Sequence, residues 1–189
     1  MCRLALTIRT GVLIKSLNRY LASNSYSVLH TQLRILTLTI MPLHRIYTAS
    51  GVYSAAEKQA LATAITEIYA PFGLPAFYIN VFFIDLPKDS YYIGGKPDDC
   101  FVRFNVQHIE RGFPNKQAKL QYLEKYEQVL KPFTADKGLN WEVNIDPADS
   151  LVWHINGVSP PLLDSEAGKL WVKLNKAVPF EGPSFKDLD

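Results

Sequence analysis

The spacing of apolar and polar positions changes several times along this chain, and each change marks an element. Pro42–Thr48 opens as a short strand. Ser54-Ala-Ala-Glu57 is a capping box, in which the Ser54 hydroxyl accepts the Glu57 N–H while the carboxylate reaches back. It predicts a helix over Ala55–Ala70 that carries Leu61, Ala64, Ile65 and Ile68 at helical spacing and stops at Pro71 and Gly73. Phe77–Ile84 is apolar on both faces, the pattern of a central strand, and Pro87 ends it. Tyr91–Pro97 is a turn, and Cys100–Gln107 is a third strand. Asn115, after Pro114, is the N-cap of a second helix marked by Leu120, Leu123, Tyr126 or Glu127, and Leu130, ending near Pro132. Trp141–Ile145 is a fourth strand.

The two helix starts lie 61 residues apart, so the pattern occurs twice. The expected fold class is α/β (α+β): two tandem β-α-β units forming a four-stranded sheet with both helices on one face. The other face is then expected to be exposed and apolar, which predicts self-association. The tail from Asp146, with Trp153, Pro160, Pro161 and Leu170–Val172, is expected to wrap a neighbour or the sheet edge.

Charge divides the 189 residues differently. Residues 1–41 hold Arg3, Arg9, Lys15, Arg19 and Arg34 and no acid, the first carboxylate being Glu57. With those five of the 20 basic side chains set aside, 15 face 18 acidic ones, and residues 42–189 carry a net −3. A mildly acidic domain argues against nucleic acid or an anionic membrane as partner. The stretch Ile35–Leu43 is too short to span a bilayer. The expected organisation is a leader over 1–41, either a mitochondrial transit peptide or upstream sequence translated ahead of a start at Met41, followed by one domain over 42–189. Two cysteines, Cys2 and Cys100, are too few for a disulfide framework. The expected location is cytoplasmic, or mitochondrial if the leader is a transit peptide.

Conventional catalytic motifs are absent. Gly95-Lys96 is followed by Pro97, not by the Ser or Thr of a P-loop, and no G-x-S-x-G or G-x-G-x-x-G occurs. His30, His44, His108 and His154 lack metal-ligand spacing. What remains is Met41-Pro42 at the boundary. An amino-terminal proline is a secondary amine able to act as a base, whereas a proline inside a chain is a tertiary amide with no basic nitrogen.

Pro42 at the head of the first strand is followed, in order, by Ala64–Glu67, Ile93–Gly95, Val106–Arg111 and Trp153–Gly157. In this order and spacing, residues 42–178 resemble the tautomerase superfamily. The resemblance is closest to its cis-3-chloroacrylic acid dehalogenase-like branch and, within that, to the fungal oxalocrotonate tautomerase-like proteins. It implies an amino-terminal proline as the catalytic residue, a homotrimer and no cofactor. It also implies that Arg111 is one of two arginines that hold a substrate carboxylate, a task suited to the bidentate guanidinium fork. His108 stands near the position of the other. Tyr69 stands where the dehalogenase branch has a histidine, and the water-activating glutamate of that branch is replaced near Trp153, with Glu142 as a possible substitute. Phe101 and Trp153 are the expected pocket walls.

The expected function is therefore cofactor-free tautomerisation of a small carboxylate between enol and keto forms, with Pro42 as base, Arg111 as clamp, and His108 and Tyr69 as auxiliary donors. One alternative is a hydratase or dehalogenase acting on unsaturated or 3-haloacrylate acids. Another is a non-catalytic trimeric binding protein, should residues 1–41 stay attached.

Overall fold

A computed structural model describes residues 41–109 and 115–187. β1 (Leu43–Ala49) leads to α1 (Ala55–Tyr69), and β2 (Asn80–Leu86) runs parallel to β1. A two-stranded hairpin follows, β3 (Tyr92–Ile93) with β4 (Lys96–Pro97). Its two-residue loop is Gly94-Gly95, both at positive φ, as a tight hairpin turn requires. β5 (Phe101–Ile109), α2 (Lys116–Leu130) and β6 (Asn140–Ala148) form the second unit, again with parallel strands. The units join through an antiparallel β1–β5 pair, which gives the sheet order β2-β1-β5-β6.

Both cappings read from the sequence are in place. Ser54 accepts the Glu57 N–H at 3.3 Å and donates its own backbone N–H to the Glu57 carboxylate at 2.8 Å. The Asn115 side chain accepts from Ala118 N–H at 2.9 Å. Replacing Ser54 by alanine removes the box, and we expect urea unfolding to report a loss of about 1 kcal/mol.

β2 does not lie at the centre of the sheet. Among the described residues it pairs with β1 alone and is an edge strand. Its doubly apolar pattern says which faces are covered and nothing about which edges are paired. Phe82, on its outer face, is 53 % exposed.

The outer face also departs from expectation, because its β5–β6 half is polar. Arg103 donates to Glu142 at 2.8 Å and to Asn144 at 3.1 Å, while Asn105 donates to Asp146 at 2.6 Å. Arg45 of β1 joins this ladder through Asn105 at 3.1 Å. Cross-strand pairs of this kind satisfy a face that no helix among the described residues covers.

The core lies between the sheet and the two helices. α1 contributes Leu61, Ile65, Ile68 and Tyr69, while Ile46, Val102, Phe104 and Val106 come from the strands. On α2 the buried stripe is Tyr122, Tyr126 and Leu130, whereas Leu120 faces outward.

The tail packs on its own chain, and it contains a helix that the sequence pattern did not predict, α3 (Glu166–Leu174). Trp171 of α3 is fully buried, stands edge-on to Tyr78 and donates its indole N–H to Val178 O at 2.8 Å. Asn175, capping α3, accepts from Phe77 N–H at 3.0 Å. The tail thus leaves β6 at one edge and returns to the segment that leads into β2 at the other. It crosses the end of the sheet where β1 and β2 begin and β5 and β6 finish. Among the described residues no helix is long and apolar enough to cross a membrane.

Candidate active site

That end of the sheet is where Pro42 lies. The β1–β5 register pairs Leu43 with Gln107, so one step further Pro42 falls opposite His108. Side chains alternate along a strand, so Pro42 shares the helix-facing side with His44, Ile46 and Thr48, and His108 shares it with Val106 and Phe104. Pro42 is buried, and Met41 before it is packed into the core, 1 % exposed.

Behind this end sits a buried polar cluster. Tyr69 is the last residue of α1, and its hydroxyl reaches His44 Nε2 at 3.1 Å, His108 Nε2 at 2.9 Å and Tyr122 Oη at 2.6 Å. Tyr122 Oη also lies 3.2 Å from His108 Nε2, and His44 Nδ1 lies 2.9 Å from Tyr126 Oη. The His44 and Tyr126 rings stack at 5.6 Å. Four elements supply these five side chains: β1 and β5 give the histidines, and α1 and α2 the tyrosines.

The cluster is electrically neutral. Burial, reinforced by the neighbouring His108, pushes His44 down from 6.5 to about 3, and burial pushes His108 down to about 4. Burial raises Tyr69 well above the ordinary phenol range, with Tyr122 adding to the effect, and burial raises Tyr122 and Tyr126 as well. Neutral histidines and phenols can donate and accept hydrogen bonds without holding a net charge in the interior.

The residues singled out in the sequence divide between places. Pro42, Tyr69 and His108 come together at one end of the sheet. Arg111, two residues beyond β5, lies outside the described residues. Trp153, five residues beyond β6, follows the strand out at this same end and packs on the core. Phe101 does not join them: it begins β5, about 23 Å along the strand from His108. There it lines a surface hollow with Ile93, Asp98, Asn140 and Trp141. Glu142 is on the outer face, paired with Arg103, and cannot serve this site within one chain.

As site residues, His44, Tyr122 and Tyr126 escaped the sequence reading. Their signal was present as two histidines at core parity on facing strands, with two tyrosines four residues apart on the helix above. The positions read for α2 included Tyr126 and Leu130 of the buried stripe but took Leu120 and Leu123 in place of Tyr122.

Two β-α-β units in one four-stranded sheet, with a proline at the head of β1, define a domain of the tautomerase superfamily. More particularly, residues 41–176 match the family described as "Putative oxalocrotonate tautomerase enzyme", and the chain belongs to that family. It is similar to a crystal structure of a "probable enzyme" from the thermophilic fungus Aspergillus fumigatus. The identity is 36 % over 74 % of this chain and 98 % of that one, with a TM-score of 0.71. It is also similar to RhCC from Rhodococcus jostii RHA1, at 34 % identity over 73 % of this chain and 99 % of that one, with a TM-score of 0.69. N1, a member of the cis-3-chloroacrylic acid dehalogenase family, shares the fold at 18 % identity and a TM-score of 0.51, over 61 % of this chain and 80 % of that one. Among curated proteins none matches the chain.

Proposed function

We propose that this protein, with Pro42 as its amino terminus, is a tautomerase that moves a proton between the enol and keto forms of a small carboxylate. The observation that carries this reading is the register of β1 and β5, which sets Pro42 beside a neutral His/Tyr cluster. The amine at this position takes the enol hydroxyl proton as the carbonyl forms, then returns a proton to carbon, so none is gained or lost. A free α-amine titrates near ~8, and an apolar site that disfavours ammonium brings it closer to neutrality at working pH. The cluster supplies O–H and N–H donors for the enolate oxygen, and a donor aimed at developing charge stabilises the transition state.

Met41 gives the reading a condition. While any residue precedes it, the Pro42 nitrogen is an amide, and the thioether side chain of Met41 occupies buried space beside it. Removing Met41 exposes the base and opens that space together. The test is turnover of a 2-oxo-acid enol by protein whose intact mass shows Pro42 at the terminus.

Arg111 is the proposed carboxylate clamp. A charge-assisted hydrogen bond contributes about 1.5–3 kcal/mol. Arg111→Ala is therefore expected to raise KM roughly 10- to 100-fold while lowering kcat less, as steady-state kinetics would report. The hydrolytic alternative has less to stand on, because Glu142, the substitute for the missing acid, faces away from Pro42. Release of halide from a 3-haloacrylate would favour it. We further propose a homotrimer as the working form, since among the described residues β2 and β6 both leave an edge unpaired and Phe82 is exposed. Light scattering reads the mass directly.

A further inference from the structure

The hydrogen bonds of the buried cluster have a direction, and it can be worked out from the sealed end. Tyr126 is 0 % exposed, and among the described residues the one hydrogen bond its hydroxyl makes is to His44 Nδ1. A phenol carries one proton and two lone pairs. Burying that proton unpaired costs more than leaving a lone pair idle, so Tyr126 donates and His44 Nδ1 accepts. A neutral imidazole that accepts at Nδ1 has its hydrogen on Nε2, which lies 3.1 Å from Tyr69 Oη. Tyr69 therefore accepts from His44, and its own proton must turn to the opposite side.

On that side stand His108 Nε2 at 2.9 Å and Tyr122 Oη at 2.6 Å. His108 and Tyr122 are the members of the cluster that retain any exposure, 5 % and 7 %. Hydrogen bonds in a chain polarise one another, so each donation strengthens the next. We infer that Tyr126 and His44 are positioning residues that fix the Tyr69 hydroxyl proton outward, toward Tyr122 and His108 at the end of the sheet that carries Pro42.

The chain works by donating hydrogen bonds, not by passing protons along. Tyr126 has no donor behind it among the described residues, and a proton lost at Tyr122 and refilled along the chain would leave a buried phenolate. The direction of the bonds stands on geometry alone. Its catalytic consequence rests on the tautomerase reading.

The first measurement is nitrogen-15 NMR of the full chain with labelled histidine at neutral pH. His44 is expected with its proton on Nε2, and its Nδ1 resonance should show an accepted hydrogen bond. In Tyr126→Phe that resonance moves toward the position of an unbonded imidazole nitrogen. A proton on Nδ1, an imidazolium, or a resonance unmoved in Tyr126→Phe would overturn the direction. For the consequence, Tyr126→Phe should lower kcat about tenfold, one hydrogen bond's worth, with KM within about twofold. His44→Gln, whose amide can still donate toward Tyr69, should retain more kcat than His44→Phe. An unchanged kcat in Tyr126→Phe overturns the positioning role. If protein that begins at Pro42 turns over no enol, the tautomerase reading and the catalytic role fail together, and the NMR still decides the direction.

Discussion

Protein that begins at Pro42 is expected to tautomerise a 2-oxo-acid enol, and the same protein with residues left in front of Pro42 is expected not to. The difference is chemical before it is structural. A secondary amine has a basic lone pair, and a tertiary amide has none. Proton transfer by a positioned group contributes roughly 10²- to 10⁴-fold, so loss of the amine removes at least ~100-fold from kcat/KM. Pro42→Ala is expected to lose at least ~100-fold as well. Alanine keeps an amine, but a primary one free to rotate, without the ring that holds the lone pair over the substrate. The pH profile supplies a second check: kcat/KM should rise with pH through the amine's pKa, which the buried setting places below the ~8 of a free terminus. Undiminished turnover by Pro42→Ala would remove Pro42 from the mechanism, leaving the fold untouched.

Stability is expected to fall by about 3 kcal/mol between pH 6.5 and pH 5, a large part of the margin of a small domain. His44 and His108 hold folded-state values of about 3 and about 4, against 6.5 when unfolded. Their pKa values are depressed, so the unfolded chain binds protons first as the pH drops. Stability is complete above 6.5 and is lost on acidification until the folded values are reached. Each buried histidine costs about 0.7 kcal/mol per pH unit at pH 6.5, rising to about 1.4 further down, which sums to about 1.6 kcal/mol down to pH 5. The window is clean: Glu57, held down to about 2 chiefly by its bond from Lys137, makes its contribution below pH 4.5. Urea unfolding at the two pH values reads the loss, and replacing either histidine by phenylalanine should roughly halve it. Equal stability at pH 6.5 and pH 5 would mean that the cluster already carries charge.

Much of this was legible in the chain. The Ser54–Glu57 box and Asn115 place the two helices to within a residue at each start, because capping is a contact between near neighbours. The repeat gave the two parallel units. The β2 pattern misled because alternation reports faces, and an edge is a matter of hydrogen-bond partners elsewhere in the chain. α3 was missed although its signals were present, Ser165 accepting the Gly168 N–H at one end and Asn175 capping the other; it is only nine residues long, and its stability comes from Trp171 seated among Phe77, Tyr78 and Phe180.

The sequence by itself determined the two capped helices and their flanking strands, the β-α-β repeat and the family. Those follow from local periodicity, from capping and from the order of short motifs. Only the tertiary structure decided that Tyr69 of α1, His44 of β1, His108 of β5 and two tyrosines of α2 share one hydrogen-bonded cluster at the end of the sheet that carries Pro42. The antiparallel register of β1 against β5 makes that meeting. Register is set by packing across 60 residues of chain, so no local pattern could have announced it.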